Sequence, residues 1–551
     1  MIYKDGLNIK NKIIYHKEMG IPSYFKHVVE KHRNILKKYT SSKTADVLID
    51  NFYMDCNSVI YDSFRELPKN CKDIEKSIIK QTCIKIEEYI NMINPTKSVM
   101  IAFDGVAPVA KLEQQRNRRF KTQFVKNITA ELGVKQEEAE WSTASITPGT
   151  KFMEKLASDT KRYFTMKRFN KLKVIVSASD EPGEGEHKIY AYIRNNANHK
   201  RESTAIYGLD ADLIMLTLNH LRNADKLYLF RETPHFIRSF DKSLDPNETY
   251  LLDMPLMAEC LTNELNNGYD IKNESQKQRM FDYIFICFFL GNDFMPHFPA
   301  LNIRTEGINR IMSAYKQTLA ESGNLTTRDN IVWKNVRTFI RILAEKEHEY
   351  IEKEHGIREK QSKNIKYRKP RQSESYEEMH FNNIPMLERK KEEYINPYEE
   401  GWQKRYYKVL FNGEMCEEHT KNLCLNYLEG LEWTFKYYTT GCADWGWHYK
   451  YEYPPLLSDL YNYVPYFDVE LISKNNNQPL PPLVQLSYVL PSSMSNLLPK
   501  NTQSLLHKYY PEWYNEDYSF EWSYCKYFWE SHAKLPEIDI NKLKIVVSRN
   551  N

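Results

Sequence analysis

The stretch VMIAFDGVAPVAKLEQQRNRRF, residues 99–120, decides the fold. It begins with five apolar residues, a pattern typical of a buried strand, and the strand is predicted to end directly before Asp104. After Pro108 the period changes, because polar and basic residues now recur every three or four positions along one helix face. A strand followed by a helix is the repeating unit of a parallel α/β sheet.

The same alternation continues on both sides of this stretch. Strands are predicted over residues 47–54, 99–103, 172–177, 204–209 and 226–230, with helices over 74–92 and 111–131. The pattern predicts an α/β fold with a mostly parallel central sheet flanked by helices. A projecting helix and a largely helical, aromatic-rich C-terminal region are expected to follow it.

Four segments differ in composition. They are a polar N-terminal extension (1–18), the α/β core (19–330), a projecting helix with a charged linker (331–395) and the aromatic region (396–551). Met19 opens a new pattern, MGIPSYFKH, and is read either as an alternative start or as an ordinary internal methionine.

Composition limits the class of protein. The chain has 551 residues with 77 Lys+Arg against 73 Asp+Glu, and it contains no apolar run near the roughly 20 residues of a membrane span. Its 9 cysteines include no CxxC pair, which argues against a disulfide framework or a zinc site. We therefore expect an intracellular protein that is a monomer without a membrane partner. The cytoplasm is favoured, and the basic RKPR at 368–371 leaves the nucleus open.

Carboxylates follow several predicted strands, and two pairs are spaced i, i+2. The acids are Asp55, Asp104, Glu184, Glu186, Asp210, Asp212 and Asp293. The carboxyl ends of parallel strands share one edge, so these acids should converge on one crevice. We expect the pairs to lie in extended backbone, where an i, i+2 spacing places both carboxylates on one side. Any one of them is more often a turn or helix-cap residue. All seven in one cleft would repel one another unless cations such as Mg²⁺ or Mn²⁺ neutralised them, as in two-metal phosphodiester hydrolysis.

A basic face and several aromatic side chains complete the candidate site. Lys111, Gln115, Arg118 and Arg119 form one helical stripe suited to a terminal phosphate, although such stripes are often only solvated faces. Tyr61, Trp445 and Trp447 are candidates for stacking on bases, although most aromatic residues belong to the core.

Six segments together resemble the first conserved region of the XRN family of 5′→3′ exoribonucleases. They are FYMDCNSVIYD, MIAFDGVAPVAKLEQQRNRRF, SITPGTKFMEKL, SDEPGEGEHKIYAYIR, IYGLDADLIML and FICFFLGNDFMPHFPAL. The stretches NYLEGLEWTFKYYTTGCADWGWHYKYEYPPLLSDL and PLPPLVQLSYVLPSSMSNLLPK resemble the second conserved region. The resemblance extends from Met19 to about residue 540.

The resemblance implies processive hydrolysis of single-stranded RNA with a 5′-monophosphate to mononucleotides. It assigns two metal ions to the seven acids and the 5′-phosphate to the basic stripe, with decapping or other RNA-processing factors as partners. Two positions depart from the family pattern: Tyr61 stands where a stacking His is usual, and Val109 where an Arg is usual. The long C-terminal extension of the cytoplasmic enzymes is not expected.

Two other functions remain open. A structure-specific 5′ DNA flap nuclease would share the core, a PIN/FEN-like nuclease fold, together with the acidic cluster. A non-catalytic RNA-binding scaffold would be indicated by loss of one or more of the seven acids, and all seven are present.

Overall fold

The computed structural model describes residues 31–40, 47–68, 70–131, 141–166, 169, 172–208, 212–230, 245, 248–266, 274–370, 375–413, 416–474 and 477–548. The predicted extension 1–18, Met19 and Asp210 lie outside these residues. Among the helices that are described, none has both the length and the apolar character needed to cross a membrane.

A seven-stranded sheet forms the centre of the described chain. Its strands are β1 (Leu36–Lys38), β2 (Asn51–Asp55), β3 (Ser98–Ala102), β4 (Lys173–Ser177), β5 (Ser203–Tyr207), β6 (Lys226–Phe230) and β7 (Tyr250–Asp253). The spatial order is β1-β7-β6-β5-β2-β3-β4. Strands β2 to β6 are parallel, while β7 is antiparallel to both β6 and β1. A separate antiparallel pair consists of β8 (Ser519–Glu521) and β9 (His532–Lys534).

The strand order places a switch point beside β2. The chain proceeds from β2 to β3 and β4 on one side, and then returns to place β5 on the other side of β2. In open parallel sheets, ligands bind beyond the carboxyl ends of the strands at such a point. Strands β2, β3 and β5 are buried almost throughout, as the near-continuous apolar runs predicted.

Helices cover the sheet and build the rest of the chain. The first ten are α1 (Asn57–Arg65), α2 (Ile74–Ile93), α3 (Val109–Glu131), α4 (Lys151–Thr165), α5 (Gly185–Arg194), α6 (Asp212–His220), α7 (Met254–Leu265), α8 (Glu274–Cys287), α9 (Gly307–Glu321) and α10 (Trp333–Ala344). The others are α11 (Glu347–Lys366), α12 (Tyr376–Asn382), α13 (Ile384–Leu387), α14 (Lys390–Ile395), α15 (Trp402–Leu410), α16 (Glu417–Thr439), α17 (Leu457–Tyr463), α18 (Pro482–Val489), α19 (Lys500–Tyr509) and α20 (Ile540–Ser548).

The charged stretch after residue 346 differs from the predicted linker. It forms the 20-residue helix α11, and the helices α12 to α14 follow it before residue 396. The physical reason is that part of its charge is buried and paired. Arg358, which is 2% exposed, donates to both carboxylate oxygens of Glu392 at 2.8 and 2.7 Å. A charged sequence therefore folds here through ion pairs that its composition alone does not reveal.

The C-terminal region packs directly on the sheet domain. One hydrophobic cluster contains Tyr53 of β2, Leu213 of α6 and Trp433 of α16. Backbone groups also join the two regions, because the Val109 amide donates to the Trp445 carbonyl at 3.0 Å. The beginning of the basic helix α3 is thus fixed by the aromatic region.

Candidate active site

The ends of β2 and β3 bring two of the predicted acids together. Asp55 is the last residue of β2, and Asp104 follows β3 by two residues. Asn57, at the start of α1, donates through its amide to Asp104 Oδ2 and accepts from the Asp104 amide at 3.0 Å. The Gly185 amide donates to Asp104 Oδ1 at 2.7 Å. Both oxygens of Asp104 are therefore oriented by protein donors.

Glu184 and Glu186 lie at the start of α5, and the prediction of extended backbone for this pair is wrong. Glu184 is the N-cap residue and Glu186 lies in the first turn of the helix. The pair still converges, because ligand atoms of Glu184, Glu186 and His187 all lie within 4.8 Å of one another. Gly185 leaves room for the Asp55 carboxylate between them, since a Cβ there would stand 2.5 Å from Asp55 Oδ1.

The remaining acids come from two other segments. Asp212 is the first residue of α6 and is 6% exposed, and Asp210 falls outside the described residues. Asp293 lies in the turn after α8. There, the Asn292 side chain accepts from the amides of Phe294 and Met295 at 2.9 and 3.0 Å and so fixes the backbone.

Lys111 joins the basic helix to the acidic cluster. Its Nζ lies 2.9 Å from Glu184 Oε1 and 2.6 Å from Asp293 Oδ2, and its side chain is 15% exposed. The first of the predicted phosphate ligands thus contacts two of the predicted metal ligands. Asp293 and Glu184, which are far apart in the sequence, are thereby linked through one ammonium group.

Burial and mutual repulsion shift the ionisation of the cluster. Burial, together with the charge of Glu184, raises the pKa of Asp104 to about 6. The same two causes raise the pKa of Glu186 well above its usual value. Burial lowers the pKa of Lys111, but Asp293 and Glu184 outweigh it, so the pKa stands well above the ordinary lysine value. The carboxyl groups of the cluster therefore raise one another's pKa, as expected where like charges are buried together.

The donor set fits a hard divalent cation. Glu186 Oε2 is buried and has no hydrogen-bond partner among the described residues. Such an atom is costly unless a cation or another ligand contacts it. Carboxylate oxygens at strand and helix ends are the donors that Mg²⁺ and Mn²⁺ prefer. The described acids therefore suit a metal centre.

The other predicted phosphate ligands follow Lys111 along α3. Gln115, Arg118 and Arg119 are all partly buried. Arg119 Nη2 donates to Thr147 Oγ1 at 2.6 Å, while its Nε has no hydrogen-bond partner among the described residues. Burial lowers the pKa of Arg119 to about 10, with Tyr61 and Arg118 nearby. A partly buried guanidinium with an unused N–H is suited to an anion.

The three candidate stacking residues occupy different environments. Tyr61 lies on α1, is partly buried and is close enough to Arg119 to interact with it electrostatically. Trp445 is partly buried beside the start of α3. Trp447 is only 8% exposed, and its ring stacks on Trp433 at 5.2 Å. The stacking roles of all three remain predictions.

Sequence reasoning missed several residues that contact the acids or hold the strand ends beside them. Asn57 could have been found, since it lies two residues after Asp55 in the same strand-end motif. Lys188 donates to the carbonyls of Phe103 and Ala178 at 2.8 and 2.7 Å and so ties the ends of β3 and β4 together. Tyr437, which donates to Glu184, is 253 residues away in the chain and had no local signal.

A cluster of carboxylates at the carboxyl ends of parallel strands, next to a basic helix, is typical of the class of metal-dependent phosphodiester nucleases. The sequence matches the family model for the XRN 5′-3′ exonuclease N-terminus over residues 19–233. It also matches the model for the Xrn1 helical domain over residues 275–398 and 372–549. The chain belongs to the XRN family of 5′-3′ exonucleases.

The relatives are distant in sequence but similar over most of the chain. The chain is 27% identical to chicken 5′-3′ exoribonuclease 2, covering 96% of this chain and 69% of that protein. For exoribonuclease 2 of Arabidopsis thaliana the identity is 26% with 95% and 66% covered, and for exoribonuclease 1 of Saccharomyces cerevisiae it is 27% with 90% and 41% covered. Among solved structures, the DNA-bound catalytic core of Rad2 aligns with a TM-score of 0.29 at 14% identity, covering 58% of this chain and 72% of that one.

Proposed function

We propose that this exonuclease degrades single-stranded RNA bearing a 5′-monophosphate, processively and from the 5′ end, to mononucleotides. The observation that carries the proposal is the contact of the basic helix α3 with the acidic cluster through Lys111. A terminal phosphate bound on α3 would place the adjacent phosphodiester against the carboxylates. Membership of a family whose relatives are named 5′-3′ exoribonucleases supports the same polarity and substrate.

In this proposal the acids hold the cations, and neighbouring groups orient the acids. Two Mg²⁺ or Mn²⁺ ions would be held by the seven predicted acids, of which Asp210 lies outside the described residues. When bound, such ions supply charge stabilisation for the phosphoryl group and the leaving oxygen. Asn57 and the Gly185 amide orient Asp104, while Lys111 orients Glu184 and Asp293.

The basic face would select the 5′ end. Arg119 is held by Thr147 and retains an unused N–H, so a dianionic terminal phosphate would gain a charge-assisted hydrogen bond there. A 5′-hydroxyl lacks this charge. A triphosphate or a cap is larger than a terminal phosphate and would have to fit beside the aromatic region, which contacts the start of α3 at Trp445.

The test compares three RNAs of one sequence that carry a 5′-monophosphate, a 5′-triphosphate or a 5′-hydroxyl, each with and without Mg²⁺. We expect mononucleotides from the 5′-monophosphate RNA only, and only with Mg²⁺. The variant Asp210→Ala should lose turnover while keeping RNA binding. Equal degradation of all three RNAs would refute the phosphate assignment. Preferential cleavage of a DNA flap, or RNA binding without cleavage, would establish one of the two alternative functions.

A further inference from the structure

Four aromatic rings form a column that begins at the acidic cluster. The ring of His187 stacks on Tyr437 with centroids 3.7 Å apart, and Tyr437 stacks on Trp433 at 4.8 Å. Trp433 in turn stacks on Trp447 at 5.2 Å. The interplanar angles are 28°, 23° and 23°, so the column is continuous. Phe294, next to Asp293, packs edge-on against Tyr437 and Trp433.

The hydroxyl of Tyr437 lies at the acidic end of this column. It donates to Glu184 Oε2 at 3.0 Å, while Glu184 Oε1 contacts Lys111 Nζ at 2.9 Å. Each oxygen of this carboxylate is thus held by a different region of the chain. Glu184 makes no capping hydrogen bond to α5, so its own helix does not fix its orientation.

Packing against neighbouring rings fixes the ring of Tyr437 independently of its hydrogen bond to Glu184. Tyr437 is 2% exposed, and its ring stacks on both Trp433 and His187. A hydroxyl on a ring held in this way has little freedom to turn elsewhere. The packing therefore determines the position of the donor, and the donor determines the position of Glu184.

We propose that Tyr437 is a positioning residue: it belongs to the second conserved region and orients Glu184 for divalent-ion binding and phosphodiester hydrolysis. The inference rests on the proposed function in assigning Glu184 to the metal centre. Donors that orient metal-ligating carboxylates commonly contribute 10–100-fold to metal affinity or activity. Tyr437→Phe preserves the stacked column and removes only the hydrogen bond, so it separates positioning from packing.

The experiment uses the full chain and measures Mn²⁺ binding by calorimetry without RNA, in addition to degradation kinetics. Tyr437→Phe should bind Mn²⁺ about 10-fold more weakly, at the lower end of the expected range. Its kcat should fall while the KM for 5′-monophosphate RNA stays unchanged, and additional Mg²⁺ should restore part of the rate. The matched control is Tyr406→Phe, which removes a buried hydroxyl that donates to the Pro454 carbonyl at 2.9 Å.

Two results would overturn the proposal. One is unchanged Mn²⁺ affinity in Tyr437→Phe, and the other is an equal loss in Tyr406→Phe. The variant Glu184→Ala extends the test, because removal of the Tyr437 hydroxyl should have no further effect once its acceptor is gone. If the wild-type chain shows no Mg²⁺-dependent degradation, the proposed function fails, whereas the Mn²⁺ comparison still decides the role of Tyr437.

Discussion

Gly185→Ala is expected to damage catalysis while sparing the fold. The added Cβ would stand 2.5 Å from Asp55 Oδ1 and 3.2 Å from its Cγ, whereas ordinary contact begins at 3.4 Å. The carboxylate of Asp55 must therefore move by about 0.9 Å. A displacement of about 1 Å in a catalytic group costs roughly 100-fold in rate, equivalent to about 2.7 kcal/mol in the activation barrier.

Stability should change little, because the atom that must move is the end of a side chain and alanine is the better helix former. The assay is kcat on 5′-monophosphate RNA, together with the thermal unfolding midpoint. Gly356→Ala is the matched control, since Gly356 lies within α11 and an added Cβ would meet the end of a side chain, the Tyr398 hydroxyl, at 3.3 Å. Full activity of Gly185→Ala would refute the reasoning, as would a loss of activity that is explained by unfolding.

Two further predictions concern buried charges. Burial raises the pKa of Glu392, but Arg358 and Arg389 lower it by more, so it stands below the ordinary 4.5. The ion pairs of Glu392 with Arg358 and Arg389 therefore stabilise the fold fully above pH 4.5. This stabilisation is lost as the pH falls through the lower pKa that Glu392 has in the folded state. Glu392→Gln should lose about 3–5 kcal/mol at pH 7 in urea unfolding and show a weaker acid dependence; equal acid dependence in the two proteins would contradict this. Arg119→Gln should raise the KM for 5′-monophosphate RNA about 10-fold or more through loss of a charge-assisted hydrogen bond. The same KM increase for 5′-hydroxyl RNA would show that Arg119 does not recognise the phosphate.

The parallel part of the fold could be predicted because each strand carries its own signal. The five predicted strands overlap β2 to β6, and α2 and α3 lie within two residues of their predicted bounds. Strands β1 and β7 were missed. They have three and four residues, too few to show a period, and they form only by antiparallel pairing along Leu36–Lys38 and Tyr250–Asp253.

The candidate site likewise contains residues that local sequence patterns reveal and contacts that depend on packing between distant segments. Asp55 and Asp104 were predictable because a strand end is visible in the sequence and parallel strands share an edge. The geometry of Glu184 and Glu186 was not, since an i, i+2 spacing is compatible with extended backbone or with the first turn of a helix. The contact between Tyr437 and Glu184 depends on how α16 packs on the sheet domain, and no local pattern encodes that.

The near balance of 77 basic and 73 acidic residues conceals a local arrangement in which the two signs of charge meet at Lys111. A single ammonium group lies between Glu184 and Asp293, at the junction of the basic helix and the acidic cluster. Cations bound by these carboxylates would compete with Lys111 for their oxygens, and a phosphate bound on α3 would offer the ammonium a new partner. The Lys111 ammonium group can move from the carboxylates to the phosphate without a change in the fold, because α3 is fixed to the aromatic region at Val109. Binding of metal and binding of the RNA 5′ end are therefore expected to favour each other through this one side chain.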